Sequence, residues 1–341
     1  MELGNEHRAS LGHCMTPFLD VRSLHVSYDA TDGSRAEVLA GLNFSLGAGE
    51  TIGVLGESGS GKSTLAAALL GILPSNGRVT AGRICFEGQD LLKTEARAME
   101  KIRGARITLI SQEPSQALHP AMRVGAQVRD VIAAHQRLRG RELRERVQQV
   151  LSAVFPSDTE RISTLYPHQL SGGQRARVLI AQALACEPAL IVADEPTASL
   201  DAEMQQEITS LFRGLQQRMQ LSAIWITHHP GLLAGFVDRV MVLYAGRVAE
   251  IGPTENVLCA PRHPYTQGLL QCLPPLSDEN RAGRKMKLAV ISGESPGGNP
   301  DSSGCVFEPR CAERVEVCAK REPEVVRVGN AHEVSCFKAG S

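Results

Sequence analysis

The chain is 341 residues long, with 36 Lys and Arg against 37 Asp and Glu and a formal net charge of −1. So even a balance supplies no basic field for nucleic acid and no polybasic run for a lipid surface. Hydrophobic residues make up 43%, enough for a buried core, yet apolar runs such as 65–73 and 223–226 fall well short of the ~20 residues of a membrane-spanning helix.

Residues 1–16 read as a flexible polar leader, because Glu2, Glu6, His7 and Arg8 stand where a secretory signal needs an apolar stretch. A cytoplasmic protein is expected, peripheral to any membrane it serves. Strands are predicted at 18–26, 38–46 and 51–55, with Gly47-Ala48-Gly49 as the turn before the third. A helix is predicted at 62–72, ending before Pro74. Apolar runs at 107–110, 190–193, 223–227 and 240–243 predict four more strands. Continuous apolar strands between helices point to a buried, largely parallel sheet. From 125 to 185 the pattern is helical: Leu143, Val147, Val150, Leu151 and Val154 recur on one face. This region reads as an inserted helical subdomain at about 115–186. Pro274-Pro275 and the Gly-, Ser- and Pro-rich stretch 292–304 mark a linker, followed by a small cysteine-bearing tail.

The segment Gly56-Glu57-Ser58-Gly59-Ser60-Gly61-Lys62-Ser63, followed by Thr64, matches the phosphate-loop pattern G-x-x-x-x-G-K-S/T. It follows a predicted strand and opens a predicted helix. Its glycines let backbone N–H groups curl around phosphate, and the helix start adds positive potential. Lys62 would neutralise the β- and γ-phosphates, and Ser63 would offer its hydroxyl to Mg²⁺. The strand at 190–193 ends in Asp194 and Glu195. Asp194 can hold Mg²⁺, and Glu195, turned to the opposite side by strand alternation, can act as general base on the attacking water.

Leu170-Ser171-Gly172-Gly173-Gln174 places an N-cap residue and two bare glycines at a helix start, a second phosphate-holding surface. In this motif the chain resembles the ABC ATPase superfamily. The resemblance implies an ATPase with a P-loop NTPase core, a β-subdomain and a helical insertion. It implies that two such subunits meet head to tail, so that Ser171, Gly172, Gly173 and Gln174 close over the partner's ATP. By the same resemblance Tyr28 stacks on adenine, Gln112 senses Mg²⁺ and water, Asp201 forms the D-loop and His228 contacts the γ-phosphate. Mg²⁺ is expected on Ser63, Gln112 and Asp194. His229 departs from the family pattern, which most often has Asp there.

Past the core, His263-Pro264-Tyr265-Thr266 and Gly304-Cys305-Val306-Phe307-Glu308-Pro309-Arg310-Cys311, with Cys318 and Cys336, resemble the ATPase of the dipeptide, oligopeptide and nickel importer group. That implies two transmembrane permease subunits, a second ABC ATPase (paralogue or self), an extracytoplasmic solute-binding protein and a place at the cytoplasmic face of the inner membrane. An exporter subunit or a soluble non-transport ABC ATPase is the alternative. The expected division is a leader at 1–16, an ABC ATPase domain at 17–258 and a C-terminal extension at 259–341. The tail cysteines are spaced C-x5-C-x6-C-x17-C. Four thiolates suit a 4Fe–4S cluster, with zinc as the alternative and incidental cysteines as the third reading. Beyond its linker, the tail is expected to lie away from every catalytic motif.

Overall fold

The computed structural model describes residues 17–272, 291–293 and 303–339. The expected leader, Pro274-Pro275 and most of the 292–304 linker lie outside the described residues.

Among the described residues, twelve strands form two sheets: β1 Leu19–Asp29, β2 Arg35–Leu46, β3 Thr51–Leu55, β4 Gly77–Phe86, β5 Gln89–Asp90, β6 Ile107–Ile110, β7 Leu190–Asp194, β8 Ser222–Ile226, β9 Arg239–Tyr244, β10 Arg247–Pro253, β11 Val326–Gly329 and β12 His332–Val334. The smaller sheet is antiparallel, in the order β2-β1-β4-β5. The larger runs β11-β12-β10-β9-β3-β8-β7-β6. Its strands β9, β3, β8, β7 and β6 are parallel, as the apolar runs predict. β3 and β8 are buried at every residue.

Strand alternation divides the side chains of β7, β8 and β9 between two cores. Ile191, Ala193, Ala223, Trp225, Val240 and Val242 join the core of the helical region. Leu190, Val192, Ile224, Ile226, Met241 and Leu243 join the core beneath the smaller sheet. A sheet apolar on both faces cannot slip by one residue without exchanging these two sets, so its register is strongly specified.

The helix after β3 spans Lys62–Leu70, shorter than expected, because Gly71 turns left-handed (φ 61°) and caps it with its N–H. Helices Pro114–Ala117, Val124–His135, Gly140–Val154, Thr159–Thr164 and Gly172–Leu184 lie between β6 and β7. In Gly140–Val154 the residues Val147, Val150, Leu151 and Val154 are buried together, as their spacing predicts.

Strands β4, β5, β10, β11 and β12 were not legible as apolar runs. In β4 only Ile84 and Phe86 are buried. The hairpin of β11 and β12 comes from the cysteine tail and pairs on β10, at Glu250↔Val334 and Ile251↔Glu333. The tail therefore continues the central sheet and covers the β10 edge. Glu250, with no exposed surface, anchors this join. Its carboxylate accepts the main-chain N–H groups of Arg262 (2.8 Å) and His263 (3.0 Å) and bonds His332 Nε2 at 2.8 Å. Its burial is tolerated because both oxygens are engaged. Arg247 of β10 also pairs with Glu322 of the tail.

Replacing Glu250 by Ala strands two main-chain donors and one imidazole. We expect a stability loss on the order of 3 kcal/mol in chemical denaturation. Limited proteolysis should show early cleavage beyond residue 259 while the parallel core persists. Wild-type cleavage kinetics and stability would refute the anchor.

Candidate active site

The loop Gly56–Ser63 leaves the carboxyl end of β3 and runs into the helix Lys62–Leu70. Gly56 has φ 155°, and a Cβ there would lie 2.4 Å from the Leu243 carbonyl oxygen. Only a residue without a side chain fits so close to β9. Lys62 is 6% exposed, and its Nζ donates to the carbonyls of Gly56 and Glu57, each at 2.8 Å. Burial lowers its pKa, opposed by the nearby Glu195, Asp194 and Glu57 carboxylates.

Asp194 ends β7. Burial raises its pKa, and a hydrogen bond from Ser63 counters that rise. Its Oδ1 is buried with no hydrogen-bond partner. A hydroxyl and a half-satisfied carboxylate form the hard oxygen set that Mg²⁺ takes. The chain thus fits the divalent cation expected at Ser63 and Asp194. Gln112 is bonded elsewhere: its Nε2 donates to Glu195 Oε2 at 3.3 Å.

Glu195 follows the strand in the left-handed region, with φ 47°. Its direction thus comes from a backbone twist past the strand end and not from strand alternation, which corrects the sequence-based account. Its own N–H donates to the Ile226 carbonyl at 3.0 Å, tying it to β8. Its Oε2 also meets His228 Nδ1 at 3.0 Å. Glu195, Gln112 and His228 therefore share one spot at the ends of β7, β6 and β8. The His229 ring lies tilted at 45° beside His228, with centroids 4.0 Å apart, and burial lowers its pKa. Tyr28 reaches the loop's flank, with Oη 3.3 Å from Thr64 Oγ1 and its ring against Gly77.

Ser171 caps the helix Gly172–Leu184 through a capping box: its Oγ accepts from Gln174 N (3.2 Å), and Gln174 Oε1 accepts from Ser171 N (3.0 Å). A Cβ on Gly173 would meet Met204 Sδ at 2.4 Å, so this helix start packs closely on the next helix, Ala202–Met219. Asp201 caps that helix, accepting from Met204 N at 2.9 Å. Ser171 and Gly172 are exposed. Among the described residues, no hydrogen bond joins Ser171–Gln174 to the loop at 56–63.

Cys305, Cys311, Cys318 and Cys336 line one small cavity of about 10 Å³. Burial pushes the Cys305 thiol up to about 11 and also raises Cys311 and Cys336. Among the described residues, no three His, Cys, Asp or Glu side chains stand in a metal-holding arrangement.

The tail does not lie away from the catalytic motifs. Arg310 bonds both carboxylate oxygens of Glu57, at 2.8 and 3.1 Å, and Tyr265 Oη accepts the Glu57 N–H at 2.9 Å. Sequence reasoning marked Tyr265 and Arg310 only as parts of a resemblance and missed both contacts, since 253 positions separate Arg310 from Glu57.

A family model described as "ABC transporter" matches residues 39–198, and one described as "Oligopeptide/dipeptide transporter, C-terminal region" matches 249–318. The chain is 41% identical over 325 residues to the dipeptide transport ATP-binding protein DppD of Bacillus subtilis, covering 95% of each. It is 40% identical to the oligopeptide transport ATP-binding protein OppD of Salmonella typhimurium, covering 94% of this chain and 93% of the relative. Among solved structures it resembles the dimeric ATP-binding cassette MJ0796 bound to ADP and Pi, with TM-score 0.61 and 27% identity over 69% of this chain and 98% of that one. It also resembles cbiO1 of Clostridium perfringens, with TM-score 0.62 and 32% identity over 72% and 91%.

Exchanging Glu195 for Gln keeps the shape beside Gln112 and His228 but removes the proton acceptor. MgATP binding should survive, while hydrolysis falls by about 10²–10⁴. Near-normal single-turnover hydrolysis would show that this carboxylate takes no proton.

Proposed function

The chain belongs to the family of ABC transporter ATP-binding proteins of the oligopeptide and dipeptide type, and on that premise we propose how its residues energise peptide import. It is an ATP-binding, ATP-hydrolysing subunit. The observation that carries the reading is the convergence of Lys62, Asp194, Glu195, Gln112 and His228 on the loop at the ends of β3, β7, β6 and β8.

In this reading the loop from Gly56 to Ser63, with Thr64, binds the triphosphate, and Tyr28 stacks on adenine beside Thr64. Ser63 and Asp194 hold Mg²⁺, which neutralises phosphate charge when bound. Gln112, bonded to Glu195 at 3.3 Å, would sense Mg²⁺ and the attacking water. Glu195 takes the proton of the attacking water, with His228 orienting it and contacting the γ-phosphate. Burial of Lys62 strengthens its pull on phosphate oxygens, because the surrounding medium screens less.

The helix start Ser171, Gly172, Gly173 and Gln174, exposed at Ser171 and Gly172, is read as serving a partner's ATP, with Asp201 beside the shared seam. The support is that, among the described residues, no hydrogen bond ties it to this chain's own loop, while its first two residues are exposed. The partner is a second ABC ATPase, paralogue or self. Among the described residues no helix is long and apolar enough to cross a membrane. Attachment at the cytoplasmic face therefore falls to two permease subunits, and solute recognition to an extracytoplasmic binding protein. Import rather than export rests on the extension matched at 249–318.

The cysteines at 305, 311, 318 and 336 are read as one metal site, 4Fe–4S with zinc as the alternative. Support comes from the four cysteines lining one cavity, beside His263, Glu308 and Glu313. A void of about 10 Å³ takes a water-sized body, so a single ion enters readily, whereas a cluster requires the thiols to part. The metal would staple a tail with little apolar surface of its own.

Two outcomes check these readings. Placing Arg at Ser171 should leave MgATP binding to the same chain intact while abolishing ATP-driven dimerisation. Undiminished dimer in size-exclusion chromatography would defeat the seam assignment. Anaerobically purified protein should be brown, with about four iron and four sulfide per chain, and bleached by Cys311→Ser. A colourless protein with stoichiometric zinc would replace the cluster by an ion, and absence of both metals would dismiss the site.

A further inference from the structure

Glu57 is the loop residue held from the most directions. Its carbonyl accepts Lys62 Nζ at 2.8 Å. Its N–H donates to Tyr265 Oη at 2.9 Å. Its carboxylate takes two parallel bonds from Arg310. The second and third of these come from the C-terminal extension.

Arg310 is itself firmly placed. Its side chain is only 6% exposed. It donates further to the carbonyls of Ser292 (3.1 Å) and Ile291 (3.3 Å) and to Tyr244 Oη (3.4 Å), and its guanidinium lies over the Tyr244 ring at 5.8 Å. It sits in the 3-10 turn Glu308–Arg310, between Cys305 and Cys311. Phe307, just before that turn, packs on Tyr244, Tyr265 and His263 at 5.1, 5.4 and 5.8 Å. Tyr265 belongs to the helix Pro264–Gln271, whose N-cap, His263, accepts the Tyr265 N–H at 3.0 Å. Cysteine turn, aromatic cluster and helix cap thus form one packed body that is hydrogen-bonded to the loop through Glu57.

We propose that Arg310 and Tyr265 are positioning residues of the phosphate loop, so that the cysteine turn of the extension sets the protein's affinity for MgATP. The proposal rests on the reading of 56–63 as the nucleotide site and names what tunes it. Two physical effects act together. A bidentate arginine–carboxylate pair fixes orientation as well as distance, and with the Tyr265 bond it holds the first peptide of the loop, so that the following N–H groups meet phosphate already arranged. The pair also cancels a negative charge on the loop that cradles a polyanion. Without Arg310, the Glu57 carboxylate stands bare and repels the triphosphate.

The test is MgATP affinity of the full-length chain, read with a fluorescent ATP analogue. Lys62→Ala should abolish binding; if it does not, the nucleotide-site reading fails, separately from this proposal. Given that loss, Arg310→Gln should weaken binding about tenfold, or 1.4 kcal/mol, with Arg310→Lys intermediate because it keeps the charge and loses the fork. The Glu57→Gln/Arg310→Gln pair should bind better than Arg310→Gln alone, because no bare carboxylate remains. Support of the tail fold by itself predicts no such rescue. Tyr265→Phe should weaken binding further in the Arg310→Gln background. Affinity within twofold of wild type in Arg310→Gln, or a double variant no better than the single, would overturn the proposal, provided the thermal unfolding midpoint is retained.

Discussion

The site depends on parallel strands that end level with one another. Val54 of β3 stands opposite Ile226 of β8, which stands opposite Asp194 of β7, while Ile110 of β6 pairs with Ala193. Each strand hands over to a part of the candidate site: the loop after β3, Gln112 after β6, Glu195 after β7 and His228 after β8. Parallel connection puts all those ends on one side, the usual place for a ligand in an open α/β sheet. The register holds because both faces are buried. A slip by one residue would move Trp225 and Ile191 to the wrong core and carry Asp194 away from Ser63.

This architecture carries local costs at the site itself. Lys62 and Asp194 are partly stripped of water, and each shifts toward its neutral form for that reason. Asp194 keeps one oxygen without a partner. Glu195 adopts a backbone conformation that L-residues avoid, a strain of roughly 1–3 kcal/mol, offset by its hydrogen bond to Ile226 and its contacts with Gln112 and His228. Unsatisfied and strained groups gathered at one sheet edge make sense where a cation and phosphates supply the missing partners.

The C-terminal extension belongs to the same mechanical unit. Its hairpin adds two strands to the central sheet, its helix cap is pinned by Glu250, and its aromatic residues lie against Tyr244 at the end of β9. Through Tyr265 and Arg310 it reaches the residue of the loop that Lys62 also grips. A segment that reads as an appendage beyond a linker is thereby hydrogen-bonded to the loop at 56–63.

What the sequence by itself determined were features whose physics is local. A phosphate cradle needs contiguous N–H groups and glycines, so Gly56 to Ser63 was legible without a fold. A capping box closes within four residues, so Ser171 to Gln174 was legible as a helix start. Apolar runs announced the doubly buried strands. The tertiary structure decided the rest: the pairing of the tail hairpin with β10, the backbone twist that aims Glu195, and the ion pair between Glu57 and Arg310. Hairpin and ion pair join residues far apart in the chain, and β11 and β12 are short and partly exposed. Their positions depend on which edges and charges remain to be satisfied once the core has closed, and no pattern of neighbouring residues carries that information.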